Sequence, residues 1–72
     1  LLKRYEEVGG ICEIEGTKIH FNQVVGAHII PHSKGGKTEY GNLMITTKFH
    51  NEKMGTMNAL EYKKLWNEGK IT

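Results

Sequence analysis

A single cysteine in a chain of 72 residues is the tightest constraint on how this protein can fold. Cys12 has no partner for an intrachain disulfide, so a disulfide-stapled scaffold is excluded and a reducing compartment is expected. A chain this short buries only about 60% of the surface that its unfolded form exposes. Domains of this size often lean on a metal ion, disulfides or a neighbouring domain. The first residue is Leu1, so we read residues 1–72 as one domain and expect it to be part of a larger protein.

The charge balance says little by itself. The formal net charge is +2, a weak basic bias whose distribution matters more than its size. No apolar run approaches the roughly 20 residues that span a bilayer, so no membrane partner is expected. We find no internal repeat and no low-complexity tract.

Local signals outline a small α+β domain. Leu1 to Val8 reads as a short helix stopped by Gly9 and Gly10. Ile11 to Ile14 reads as a short strand or knuckle, with a turn at Gly16-Thr17. Ile19 to Val25 reads as extended, its apolar members alternating imperfectly. Ala27 to Ile30 continues as a strand that Pro31 ends. A polar loop follows from His32 to Tyr40, then a second strand from Asn42 to Thr46. Val24 to Ile30 and Asn42 to Ile45 are expected to pair antiparallel. Thr46 or Thr47 caps a helix running to Met54, where Gly55 breaks it. Asn58 caps a last helix, with Glu61 as its capping-box partner. Ala59, Leu60, Tyr62, Leu65 and Trp66 give that helix an apolar side.

The chemistry lies between Gly26 and Gly55. His28 stands at a strand end, Asn42 at a strand start and Asn51 on the next helix. Three such elements can converge on one concave point able to hold a phosphate and a metal ion. Phosphodiester hydrolysis needs an activated water and relief of charge on the leaving oxygen. An imidazole, with an ordinary pKa of about 6.5, is a suitable base near neutrality. A divalent cation can stabilise the leaving oxygen, and carboxylate or amide oxygens suit Mg²⁺ or Mn²⁺. The loop Ser33-Lys34-Gly35-Gly36-Lys37-Thr38 offers cations, hydroxyls and open backbone N–H groups for flanking phosphates.

The ordered set His28-Ile29-Ile30-Pro31, Ser33-Lys34-Gly35-Gly36, Thr38, Asn42-Leu43, Asn51 and Lys53 resembles the HNH nuclease family. The resemblance covers about half of the chain closely. It implies the ββα-metal fold: a two-stranded antiparallel hairpin with a packed helix, here with flanking helices. It also implies a metal-dependent endonuclease that hydrolyses DNA, with restriction or phage defence as the commonest setting, then homing. The expected location is the cytoplasm, in a bacterial or phage-type protein. By this resemblance His28 matches the general base, Asn42 the brace of the inter-strand loop, and Asn51 the metal-binding residue on the helix. The implied cofactor is Mg²⁺, Mn²⁺ or a similar ion. Ser33, Lys34, Lys37 and Lys53, with Lys48, are the expected DNA contacts.

Two positions depart from the family pattern. Ala27 stands where the family commonly places an Asp or His that ligates the metal, so that ligand position is vacant. This favours an alternative reading, a catalytically impaired DNA-binding module or an enzyme inactivated by an engineered substitution at this position. Many members also carry a zinc knuckle of two Cys-x-x-Cys pairs. The corresponding positions here are Cys12 and Glu15, then Thr47 and His50. Structural zinc takes four nitrogen or sulfur ligands, so none is expected.

Other residues have plainer readings. His50 competes with Asn51 for the third motif position, but one residue along a helix rotates a side chain by about 100°. Asn51 is favoured because His50 falls on the knuckle. His32 reads as a loop residue that can touch phosphate or metal, His20 as structural or exposed, and Cys12 as a buried apolar-like residue. Trp66 and Leu65 read as core.

Overall fold

The computed structural model describes residues 1–71. It holds three helices and one two-stranded antiparallel sheet. Helix α1 spans Leu2–Glu7, β1 Val25–His28, β2 Leu43–Thr46, α2 Lys48–Met54 and α3 Ala59–Asn67. This is the α+β arrangement expected. No helix among the described residues is long and apolar enough to cross a membrane.

The hairpin pairs Val25 with Thr46, Gly26 with Ile45, Ala27 with Met44 and His28 with Leu43. It is shorter than the pairing read from sequence. One more backbone bond, from Ile29 N–H to the Asn42 carbonyl at 2.9 Å, continues it. The next donor, Ile30 N–H, is taken by the Asn42 side chain. A side chain thus replaces the ladder just before Pro31, and the strand ends there.

One segment differs from the sequence expectation. Residues 19–25 are not one extended run, because Phe21–Gln23 close a 3-10 turn. Gln23 N–H bonds the His20 carbonyl, and Val24 N–H that of Phe21. Local bonds win where the apolar alternation is too irregular to bury one face. Of the two readings offered for residues 11–14, strand or knuckle, the structure takes the knuckle. Ile11 makes a single bridge to Lys18, and Gly16, at φ +78°, returns its N–H to the Cys12 carbonyl.

Glu13 fixes this knuckle to the sheet. Its backbone N–H donates to the Ile45 carbonyl at 2.8 Å, and its carboxylate accepts from Ile45 N–H at 2.7 Å. Arg4 of α1 donates to both carboxylate oxygens, at 2.5 and 3.2 Å. The bond to Glu13 raises the Arg4 pKa above its ordinary value.

The core is built from Cys12, Ile14, Ala27, Met44, Met54, Ala59 and Tyr62. Both later helices are set by their caps. The Thr47 hydroxyl accepts from His50 N–H, and Gly55 ends α2. The Asn58 carboxamide oxygen accepts from Leu60 and Glu61 N–H, which starts α3. This cap is one-sided: among the described residues the exposed Glu61 side chain makes no return bond, contrary to the capping box expected. Ala59 N–H bonds the Ile29 carbonyl at 3.0 Å and ties α3 to the end of β1.

Candidate active site

The end of β1, the loop after it and α2 enclose a cavity of about 350 Å³. Its polar lining is His28, His32, Ser33, Asn51 and Thr56, and Met54 also lines it. His28 and Asn51, 23 positions apart in the sequence, therefore meet at one concave surface. The His28 ring is fixed by a bond of 2.8 Å between Nε2 and the Thr38 hydroxyl.

Asn42 holds the loop that carries Thr38. Its Oδ1 accepts from Ile30 N–H at 2.8 Å, while Nδ2 donates to the carbonyls of Ile30 and Lys37 at 3.1 and 2.9 Å. One carboxamide thus spans both ends of the loop. Gly36 makes this closure possible. It is buried, and a Cβ there would overlap the Ile30 carbonyl oxygen. By these bonds Asn42 braces the loop between the two strands.

Ala27 lies elsewhere. Successive strand residues point to opposite faces of a sheet, and Ala27 turns into the core at 1% exposure while His28 opens outward. Ala27 is absent from the cavity lining. Met54 belongs to both the core cluster and the lining, whereas Ala27 belongs to the core cluster alone.

The lysines also lie outside the lining. Lys34 and Lys37 are exposed on the loop beside Ser33. Lys48 reaches Glu52 at 3.8 Å, and the Lys53 ammonium sits 5.7 Å from the centre of the Phe49 ring.

The cavity contains no carboxylate. Among the described residues, no three His, Cys, Asp or Glu side chains are grouped so as to hold a metal ion. Mg²⁺ prefers hard oxygen ligands that include carboxylates, and this donor set fits it poorly. Two imidazoles and one carboxamide fit better a cation that accepts nitrogen.

A larger groove, of about 640 Å³, includes Glu15, Val25, Lys48, Phe49 and His50. His50 is not free for chemistry there. It is 1% exposed, with Nε2 2.7 Å from Glu15 Oε1 and Nδ1 2.9 Å from the Tyr62 hydroxyl. The Trp66 ring meets it edge-on at 4.5 Å. Burial raises the Tyr62 pKa, with smaller contributions from Glu15 and Cys12, so the phenol keeps its proton. With the His50 proton on Nε2, the phenol donates to Nδ1 and Nε2–H donates to Glu15. Cys12 Sγ lies 3.6 Å from the Thr46 hydroxyl. Hydrogen bonds therefore occupy the positions where the resembled family has its knuckle. Sequence reasoning missed Tyr62 and Thr46 as partners, since nothing in their spacing marks them.

His50→Ala is expected to destabilise the fold by about 2–4 kcal/mol, through a cavity and an unpaired buried phenol. Urea unfolding checks this. Dialysis against a chelator should leave the midpoint of the parent chain unchanged, and a midpoint that falls would show that a bound metal ion stabilises the fold.

No protein-family model, curated protein or solved structure matches this chain.

Proposed function

We propose that this chain is a ββα-type nuclease domain that hydrolyses DNA phosphodiester bonds with the help of a divalent cation. The observation that carries this reading is that His28 and Asn51 line one cavity whose loop wall is braced by Asn42. A binding module needs neither a positioned imidazole nor such a brace.

His28 takes a proton from the attacking water. Thr38 engages Nε2, and in the tautomer with the proton on Nε2 the lone pair of Nδ1 is left to accept it. Asn51 would be the helix ligand of a divalent cation, which would supply charge relief at the departing oxygen. Ser33 lies at the cavity and can donate to a phosphate oxygen. Lys34, Lys37, Lys48 and Lys53 attract the neighbouring backbone without reading bases. So small a domain leaves little room for base readout.

The test is conversion of supercoiled plasmid to nicked or linear DNA by the purified protein, with Mg²⁺, Mn²⁺ or Ni²⁺ and with a chelator as control. Cation-dependent cutting supports the proposal. Retardation of DNA without cutting under every ion would favour the second reading, an impaired DNA-binding module. The observation behind that reading is the alanine at position 27, buried where the resembled family places a ligand.

A further inference from the structure

We infer that His32 is a cation ligand of this cavity, working with Asn51, and that it makes the site select nitrogen-accepting ions over Mg²⁺. The inference rests on the proposed role of Asn51 and extends it to a residue that the ordered motif does not include.

The cavity holds two histidines, and they differ in their bonding. His28 has its Nε2 bound to Thr38. His32 sits in a 3-10 turn, His32–Lys34, on the cavity's loop side, and its side chain is exposed. No side-chain hydrogen bond of His32 is present among the described residues. The turn is fixed: Lys34 N–H and Gly36 N–H both bond the Pro31 carbonyl, at 2.9 and 3.0 Å. An open imidazole on a fixed turn and a half-buried carboxamide on α2 therefore line the same cavity.

Chemistry then decides which ion such a pair prefers. Carboxylate, carbonyl and water suit Mg²⁺, whereas imidazole suits Ni²⁺, Zn²⁺, Fe²⁺ and Cu²⁺. No carboxylate lines the cavity, and Ala27 is turned into the core. Asn51 alone gives Mg²⁺ one neutral oxygen. Adding His32 Nε2 or Nδ1 gives a later first-row ion two protein ligands, with water and a phosphate oxygen left to complete its shell. His50 does not compete, since both its nitrogens are bonded. His20 lies outside this cavity.

The experiment is a Ni²⁺ titration of the untagged chain without DNA, followed by paramagnetic broadening of the histidine imidazole resonances and by calorimetry. The His32 signals should broaden at the lowest Ni²⁺ concentrations. A roughly hundredfold excess of Mg²⁺ should not restore them. His32→Ala and Asn51→Ala should each weaken Ni²⁺ binding by roughly ten- to a hundredfold, a range that loss of even an outer-shell partner can cost. His32→Gln separates loss of the ligand from disturbance of the turn, and thermal melts verify that each variant is folded. Unchanged affinity in folded His32→Ala, or ready displacement of Ni²⁺ by Mg²⁺, overturns the inference. Plasmid cutting is scored in parallel. Cutting that persists when His32 proves irrelevant leaves the nuclease reading standing. Ni²⁺ held by His32 and Asn51 with no cutting under any ion removes the nuclease reading and leaves the cation site.

Discussion

Replacing His28 with alanine is expected to lower plasmid nicking by roughly 10²- to 10⁴-fold, the range that loss of a general base typically costs. The fold should survive the change. His28 is only half-buried at the last position of β1, and its ring makes one side-chain bond, to Thr38. Loss of that bond costs about 1 kcal/mol, well below what truncation of a core residue costs. Rate and stability should therefore separate: cutting collapses while the melting curve moves little. Thr38→Val is the companion variant. It leaves the imidazole in place but frees the ring to rotate and to change tautomer, so a smaller loss of cutting is expected. An unchanged cutting rate in His28→Ala would eliminate His28 as the base. A melting curve that collapses with the rate would make its role structural.

The parts of this site that are legible in the sequence are those set by local chemistry. Thr47 and Asn58 announce helix starts because each side chain satisfies N–H groups two or three residues ahead, and both do so here. Gly55 announces a helix end for a similarly local reason. Asn42 is legible as a loop brace only through the motif it belongs to, since its three bonds reach from Ile30 to Lys37. The direction of Ala27 is not legible at all. The motif places it next to His28 in the chain, but the pleat sends adjacent residues to opposite faces. The partners of His50 were hidden for another reason. Glu15 lies 35 residues before it and Tyr62 12 residues after it, and no periodicity links three separate elements. The turn at Phe21–Gln23 was misread because a few β-friendly residues do not make a strand without a neighbour to pair with.

Ala27→Asp should have the largest effect on stability, and its sign should depend on the cation supplied. Filling the vacant ligand position looks, from sequence, like a simple restoration of an enzyme. The packing adds a cost. Ala27 is 1% exposed among Cys12, Ile14, Met44 and Met54, where a carboxylate finds no basic partner within the core cluster. An uncompensated buried charge costs about 3–5 kcal/mol, a large share of the roughly 5–15 kcal/mol that holds a domain together. Burial raises the pKa of such a carboxyl in the folded state above the ordinary value of about 3.9. The folded state then binds more protons than the unfolded one between those two values. The deficit should accordingly be smallest below the unfolded pKa, grow as pH rises through the window, and be complete above the raised folded pKa. A divalent cation acts in the opposite direction. If the core packing yields, the new carboxylate reaches the cavity side and joins Asn51 as an anionic oxygen ligand, the kind that Mg²⁺ and Mn²⁺ prefer. Binding of the ion to the folded state alone then restores stability in proportion to RT ln(1 + [L]/Kd). Thermal melts of the variant at neutral pH should show a low midpoint in chelator that climbs with Mn²⁺ or Mg²⁺, while the parent chain barely responds to either ion. Plasmid cutting should rise over the same range of metal concentration. A variant as stable as the parent in chelator would mean that residue 27 is not enclosed by the core. A variant that stays unstable at every metal concentration would mean that the core packing keeps position 27 out of the cavity. In that case any cation there has to be held by Asn51 and residues of the loop.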